Sequence, residues 1–225
     1  MTIAFISDIH GNFEALSAVL QELNKLGIQH IYCAGDIVGY YSQVNECCQA
    51  LRERNIPSVM GNHDWYMAGG GFCPRSRSVN DCLAYQRTVI DASHVQWLQS
   101  LPLQLQAGPV RVVHGGWGDP LDEYLKPSAE YFSRLDGQFF VTGHTHQQRL
   151  DTYQGKVYCN PGSVGQPRDG DPRAAFALFD GQQFTLRRVQ YDMQKVFDLM
   201  QAAGFNDYYY GSLKTGAATL RRLQD

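Results

Sequence analysis

A chain of 225 residues with 44% hydrophobic and 18% charged side chains can bury a core of ordinary size, as one large domain or two small ones. Its formal charge of −3 gives no sign of a protein that coats nucleic acid or anionic membrane, although one positive cleft is compatible with that sum. The opening MTIAFISDIH is apolar for only a few residues and lacks a cationic lead. It reads as neither signal peptide nor spanning segment, and no later apolar run is long enough to cross a bilayer.

The first third repeats one pattern. TIAFIS suits a buried strand ending at Asp8. Phe13, Leu16, Val19, Leu20, Leu23 and Leu26 then recur at helical spacing, with Gly27 as the stop. HIYCAG makes a second strand ending in Gly35-Asp36. Val44, Cys47, Cys48 and Leu51 mark a second helix, and IPSVM is expected as a third strand. Residues 76–101 read as two helices, the second capped by Ser93 and ending before Pro102. The texture then changes to short strands: LPLQLQ and PVRVVHG, FFVTG, the hairpin-like RLDTYQGKVYCN, and RAAFALFDGQQFTLRRV with its Asp180-Gly181 turn. A last helix spans about 192–203 and ends at Gly204. A parallel half followed by an antiparallel half predicts two sheets packed face to face with helices outside, in one domain over residues 1–225.

Six cysteines (Cys33, Cys47, Cys48, Cys73, Cys82, Cys159) show neither metal-type nor framework spacing, which predicts reduced thiols and a cytoplasmic protein. Cys48 and Arg54 match the Cys-x5-Arg spacing of thiol phosphatases, but the intervening QALRE has no glycine to cradle a phosphate and reads as helix.

The unusual polar residues gather where strands end. Asp8-Ile9-His10, Gly35-Asp36 and Gly61-Asn62-His63-Asp64 follow the three expected parallel strands, and His114, His144 and His146 end later ones. Sites in open α/β sheets form beyond the carboxyl ends of parallel strands. Five of the seven histidines lie in such motifs; His30 and His94 do not. Asp-x-His spacing on an extended segment puts both side chains on one side. Imidazole, carboxylate and amide oxygen without thiolate suit Mn, Fe, Zn, Ni or Co. The donors are too many for one tetrahedral ion, so two metals sharing one aspartate is the economical arrangement.

Read together, DIHG, GD, GNHD, HGG and GHTH make the chain resemble the calcineurin-like metallophosphoesterases, in particular their small bacterial and archaeal members. The shared texture runs from ISDIHGNFEALSAVL to NPGSVGQPRDGDPRAAFALFD. The resemblance implies an α/β fold, a four-layer αββα sandwich of two mixed β-sheets flanked by helices, around a dinuclear centre. It implies that Asp8, His10 and His146 hold one metal, that Asp36 bridges, and that Asn62, His114 and His144 complete the second. His63 is implied as the acid that protonates the leaving oxygen, with an ordinary histidine pKa, and Asp64 as the group that orients it. The activity implied is hydrolysis of phosphate mono- or diesters, on a small nucleotide-like substrate, by a water that two divalent ions (manganese first) activate.

After Asp36, phosphoprotein phosphatases and their tetraphosphate-cleaving relatives carry Val-Asp-Arg-Gly, where this chain reads Ile37-Val38-Gly39-Tyr40-Tyr41. Tyr41-Ser42-Gln43 also departs from the Gly and Pro that small prokaryotic members often carry there. Arg168 and Arg173 are candidates for the missing phosphate clamp, against the plainer reading that they pair with Asp169 and Asp171. Asn160-Pro161-Gly162-Ser163 is a turn that lines the site or only a turn, Tyr208 to Tyr210 a base-stacking or packing cluster, and GGGFCPRSRS a lid or a plain loop. Expected partners are a small phosphoester and a second copy of the chain, without membrane or nucleic acid. The alternatives are a protein-binding scaffold of the same fold, as in the retromer subunit, and a nuclease of the same superfamily.

Overall fold

The computed structural model describes residues 1–217. Strand β1 (Ile3–Ile6) lies parallel to β2 (His30–Cys33), with helix α1 (Phe13–Lys25) as the crossover; Asn12 caps α1 through Ala15 N–H. Helix α2 (Val44–Glu53) follows. The expected third strand shrinks to a single parallel bridge, Cys33 to Ser58, because Pro57 has no N–H for a ladder and the chain turns into α3 (Asn62–Gly69). Asn62, His63 and Asp64 are thus the first turn of a helix rather than a loop. Helices α4 (Arg77–Val89) and α5 (Ala92–Gln99) fill the middle. Asp91 rather than Ser93 is the residue that precedes α5.

Strands β3 (Gln104–Ala107) and β4 (Val110–Val113) form a hairpin, and a short helix α6 (Ala129–Ser133), without a legible period, leads to β5 (Phe139–Val141). The hairpins β6 (Gln148–Tyr153)/β7 (Lys156–Pro161) and β8 (Ala174–Phe179)/β9 (Phe184–Val189) follow, then α7 (Met193–Ala202), α8 (Asp207–Tyr210) and a 3₁₀ turn at Gly211–Thr215.

Both sheets are mixed. One has the order β2-β1-β8-β9 and the other β3-β4-β5-β7-β6. The expected division into parallel and antiparallel halves fails: β4, β5 and β7 are parallel, and the late hairpin β8/β9 completes the first sheet. Alternation along each strand sorts side chains between layers. Ile3 and Phe5 point between the sheets with Val110, Val112, Phe139, Val141 and Phe179. Ala4 and Ile6 face α1 and α2 with Leu16, Val19, Leu23 and Leu51. Phe140 points the other way, onto Phe132 of α6 and Tyr158. Fully burying a phenylalanine in this manner stabilises by about 1.5–3 kcal/mol. The result is helices, sheet, sheet and a thin outer layer carried by α6. All six cysteines are buried and free, and among the described residues no helix is long and apolar enough to cross a membrane.

Candidate metal centre

Each strand that ends at the site hands its polar residues to a tight turn. Seven non-glycine residues among those described have positive φ, and five are expected ligands: Asp8 (54°), His10 (56°), Asp36 (55°), His144 (67°) and His146 (59°). The period-two argument for Asp8 and His10 therefore does not hold. Left-handed backbone, not extended chain, aims them at one point. Glycine permits the close approach that follows: a Cβ on Gly61 would lie 2.1 Å from Asp36 Oδ1.

All seven expected ligands and His63 are buried. Two overlapping donor groups result, Asp8, His10, Asp36 and His146, and Asp36, His114 and His144, each with its donor atoms within 4.8 Å of one another. Asn62 Oδ1 lies 3.2 Å from His114 Nε2 and joins the second. Three rings are oriented from behind: Nδ1–H of His10, His114 and His146 donates to the carbonyls of Val38 (2.9 Å), Ala34 (2.8 Å) and Gln166 (2.7 Å). In a neutral ring the proton on Nδ1 leaves a lone pair on Nε2. Yet Nε2 of His10 and Nε2 of His146 are 3.0 Å apart. Two acceptors at that distance repel unless a positive charge lies beside them, so the donor set fits cations.

Charges in the cluster follow the same logic. Burial pushes the Asp8 carboxyl up to about 7. Burial alone would raise Asp36 too, but His114 and His63 hold it well below the usual carboxylate range. Burial opposes the charge on His114, whereas the Asp36 carboxylate at 3.3 Å raises it to about 10. Burial lowers His144 to about 3 and takes His10 and His146 well below the usual imidazole value. Without a cation, then, His114 keeps the proton that balances Asp36.

Two expected roles change. His63 faces the pocket with its backbone N–H on Asp36 Oδ1 (2.9 Å), but burial, reinforced by Arg168 and His114, lowers it to about 4, not the ordinary value. Asp64 does not orient His63. Its carboxylate accepts N–H of Gly61 (3.0 Å), Asp36 (2.9 Å), Ile37 (2.8 Å) and Val38 (3.2 Å), so it supports the Asp36 turn; Nδ1 of His63 has no partner among the described residues.

A pocket of about 230 Å³ opens over the donors. Arg168 lines it, held by Tyr40 Oη at 2.7 Å, and stands over the Tyr40 ring. Arg173 does not reach the pocket; it is exposed and paired with Asp171 at 2.6 Å, so the clamp expected of it is withdrawn. Nor does the Tyr208–Tyr210 cluster line it: Tyr210 stacks on Phe197 and Tyr209 donates to Asp81. The expected lid segment supplies one wall through Cys73, Arg75 and Ser76, and Tyr124 also lines the pocket. Sequence reasoning missed Tyr124 and gave Tyr40 and Arg75 no role of their own, since their partners lie far along the chain. The Asn160–Ser163 turn is a buttress: Asn160 Nδ2 donates to Gly143 O (2.6 Å) and Ser163 Oγ to Asp8 O (2.6 Å).

Comparison with known proteins agrees with this geometry. Residues 1–183 match the calcineurin-like phosphoesterase superfamily domain. An uncharacterised protein of Methanocaldococcus jannaschii is 36% identical over 219 residues, 87% of this chain and 90% of its own length. A symmetrical bis(5'-nucleosyl)-tetraphosphatase of Neisseria gonorrhoeae is 30% identical over 150 residues, 60% of this chain and 51% of its own; the match spans about half of that enzyme. The crystal structure of a metallophosphoesterase from Sphaerobacter thermophilus superposes with a TM-score of 0.83 at 33% identity, covering 96% of this chain and 99% of that one.

Proposed function

We propose that this chain, which belongs to the calcineurin-like phosphoesterase superfamily, is a dinuclear metal-dependent phosphoesterase that hydrolyses phosphate mono- or diesters on a small nucleotide-like substrate. The observation that carries it is the sharing of Asp36 by two buried donor groups. Asp8, His10 and His146 would hold one ion with Asp36, while Asn62, His114 and His144 would hold the other. Nitrogen and oxygen donors without thiolate support manganese, with Fe, Zn, Ni or Co as substitutes. Divalent ions so held would supply Lewis acidity, to activate water and to stabilise charge on the phosphoryl oxygens.

The chain's own residues do the rest. Arg168, fixed on Tyr40, presents a guanidinium to the phosphoryl group. His63 is neutral in the free site, and the negative charge of a bound phosphate raises its affinity for the proton it then delivers to the leaving oxygen. The nucleotide-like class is supported by the partial match to the tetraphosphatase.

Purified protein with Mn²⁺ should turn over bis-p-nitrophenyl phosphate. Asp36→Ala should lose both ions, and His63→Ala should keep both while losing about 10²–10⁴ of the rate. Turnover that survives complete chelation, or an Asp36→Ala protein that releases a single ion, would falsify the reading.

A further inference from the structure

The pocket wall carries a charge arrangement for which the metal centre alone gives no reason. Arg75, from the segment before α4, makes a two-pronged pair with Asp122, from the segment between β4 and α6. Nη1 donates to Oδ2 at 2.7 Å and Nη2 to Oδ1. The same guanidinium lies 5.3 Å over the Tyr124 ring, and that ring packs at 4.1 Å on His144. Behind the pair, Asp122 Oδ1 is 3.5 Å from Nε2 of His144, beyond a good hydrogen bond.

His144 turns its Nδ1 towards His114 Nε2 and the donor cluster, at 3.2 Å. A neutral ring that offers Nδ1 as a ligand carries its proton on Nε2. That nitrogen is buried and has no hydrogen-bond partner among the described residues. A buried N–H without an acceptor is costly, and imidazole ligands are ordinarily oriented by a carboxylate or carbonyl on the far nitrogen. His10, His114 and His146 have that carbonyl; His144 does not. Among the described residues the one carboxylate in range is Asp122, and both of its oxygens face Arg75. The pair is part-exposed, at 43% for Arg75 and 26% for Asp122, so breaking it costs little.

We propose that Arg75 and Asp122 form an exchangeable latch. Arg75 is a phosphate-gripping group of the pocket, and when it transfers to a phosphoryl group Asp122 turns to accept His144 Nε2–H as that ligand's positioning residue. A fork matched to a carboxylate matches two phosphoryl oxygens equally well. Phosphate arrival and orientation of His144 become one event. This rests on the metal-centre reading above.

Titration with Mn²⁺ alone and with inorganic phosphate tests it. Phosphate should tighten one Mn²⁺ binding step of the wild type, and Asp122→Asn should abolish that gain of about ten- to hundred-fold while keeping its affinity for Mn²⁺ alone. Arg75→Met should leave Mn²⁺ binding intact or tighter and weaken phosphate about ten-fold or more. In ¹⁵N-histidine spectra of the Zn²⁺-loaded wild type, phosphate should shift the His144 Nε2–H resonance, which decides the matter should a variant not fold. Variants that lose both affinities together, or a resonance that phosphate leaves in place, would show a merely structural clasp and overturn the latch. A wild-type protein that takes up no metal overturns the metal-centre reading and the latch with it.

Discussion

Asp8, His10, Asp36, His144 and His146 occupy a backbone region that costs non-glycine residues about 1–3 kcal/mol each. The chain accepts that cost where donors must converge. The identities of these residues were legible, because each stands at a strand end near glycine. Their conformations were not, since left-handed backbone leaves no periodic trace. The part played by Asp64 was hidden too: three of its four donors, at Asp36, Ile37 and Val38, lie 26 to 28 residues away. The proton on His114 gives a pH dependence. A metal must displace it, so Mn²⁺ affinity should rise with pH, with about one proton released per protein between pH 7 and 10. Below about 7 the raised Asp8 carboxyl adds a second proton, and the slope steepens. Calorimetry in buffers of different ionisation enthalpy reads that number, and a pH-independent affinity would contradict the assignment of His114.

Helix α4 shows how a regular segment serves the site from a distance. Its Gln86, fully buried, accepts Gly39 N–H at 3.0 Å and donates to Tyr41 O at 2.5 Å, which fixes the loop that presents Tyr40 to the pocket. Gln86 shares the buried face of α4 with Val79, Cys82 and Leu83, so the helix was readable and the task of Gln86 was not. Gln86→Ala should leave those backbone groups unpaired and cost about 1–3 kcal/mol in urea unfolding. A change within error would mean that the loop holds its shape unaided. The lost third strand has a comparable cause. IPSVM has the composition of a strand, but Pro57 removes a donor and Asp64 draws the following residues into α3 by bonding back to Gly61 N–H.

Across both sheets, the candidate ligands act as stitches. Asp8, His10 and Asp36 follow strands of one sheet, whereas His114, His144 and His146 follow strands of the other. Metal bound there ties the layers together, while the apolar layers stand without it. Chelation should therefore preserve the far-ultraviolet circular dichroism yet lower Tm by roughly 5–10 °C relative to protein at Mn²⁺ a hundred-fold above Kd. An unchanged Tm would indicate that no ion joins the two sheets. The interleaving of strands was the least legible feature, because pairing Ile3 with Phe179 has no local signature. It has a consequence for synthesis. Strand β1 leaves the ribosome early, yet its second flank stays bare until β8 emerges some 170 residues later. A nascent polypeptide halted before that point would display an open apolar ribbon on which its copies could stick, so one edge of the first sheet closes only when most of the chain has been made.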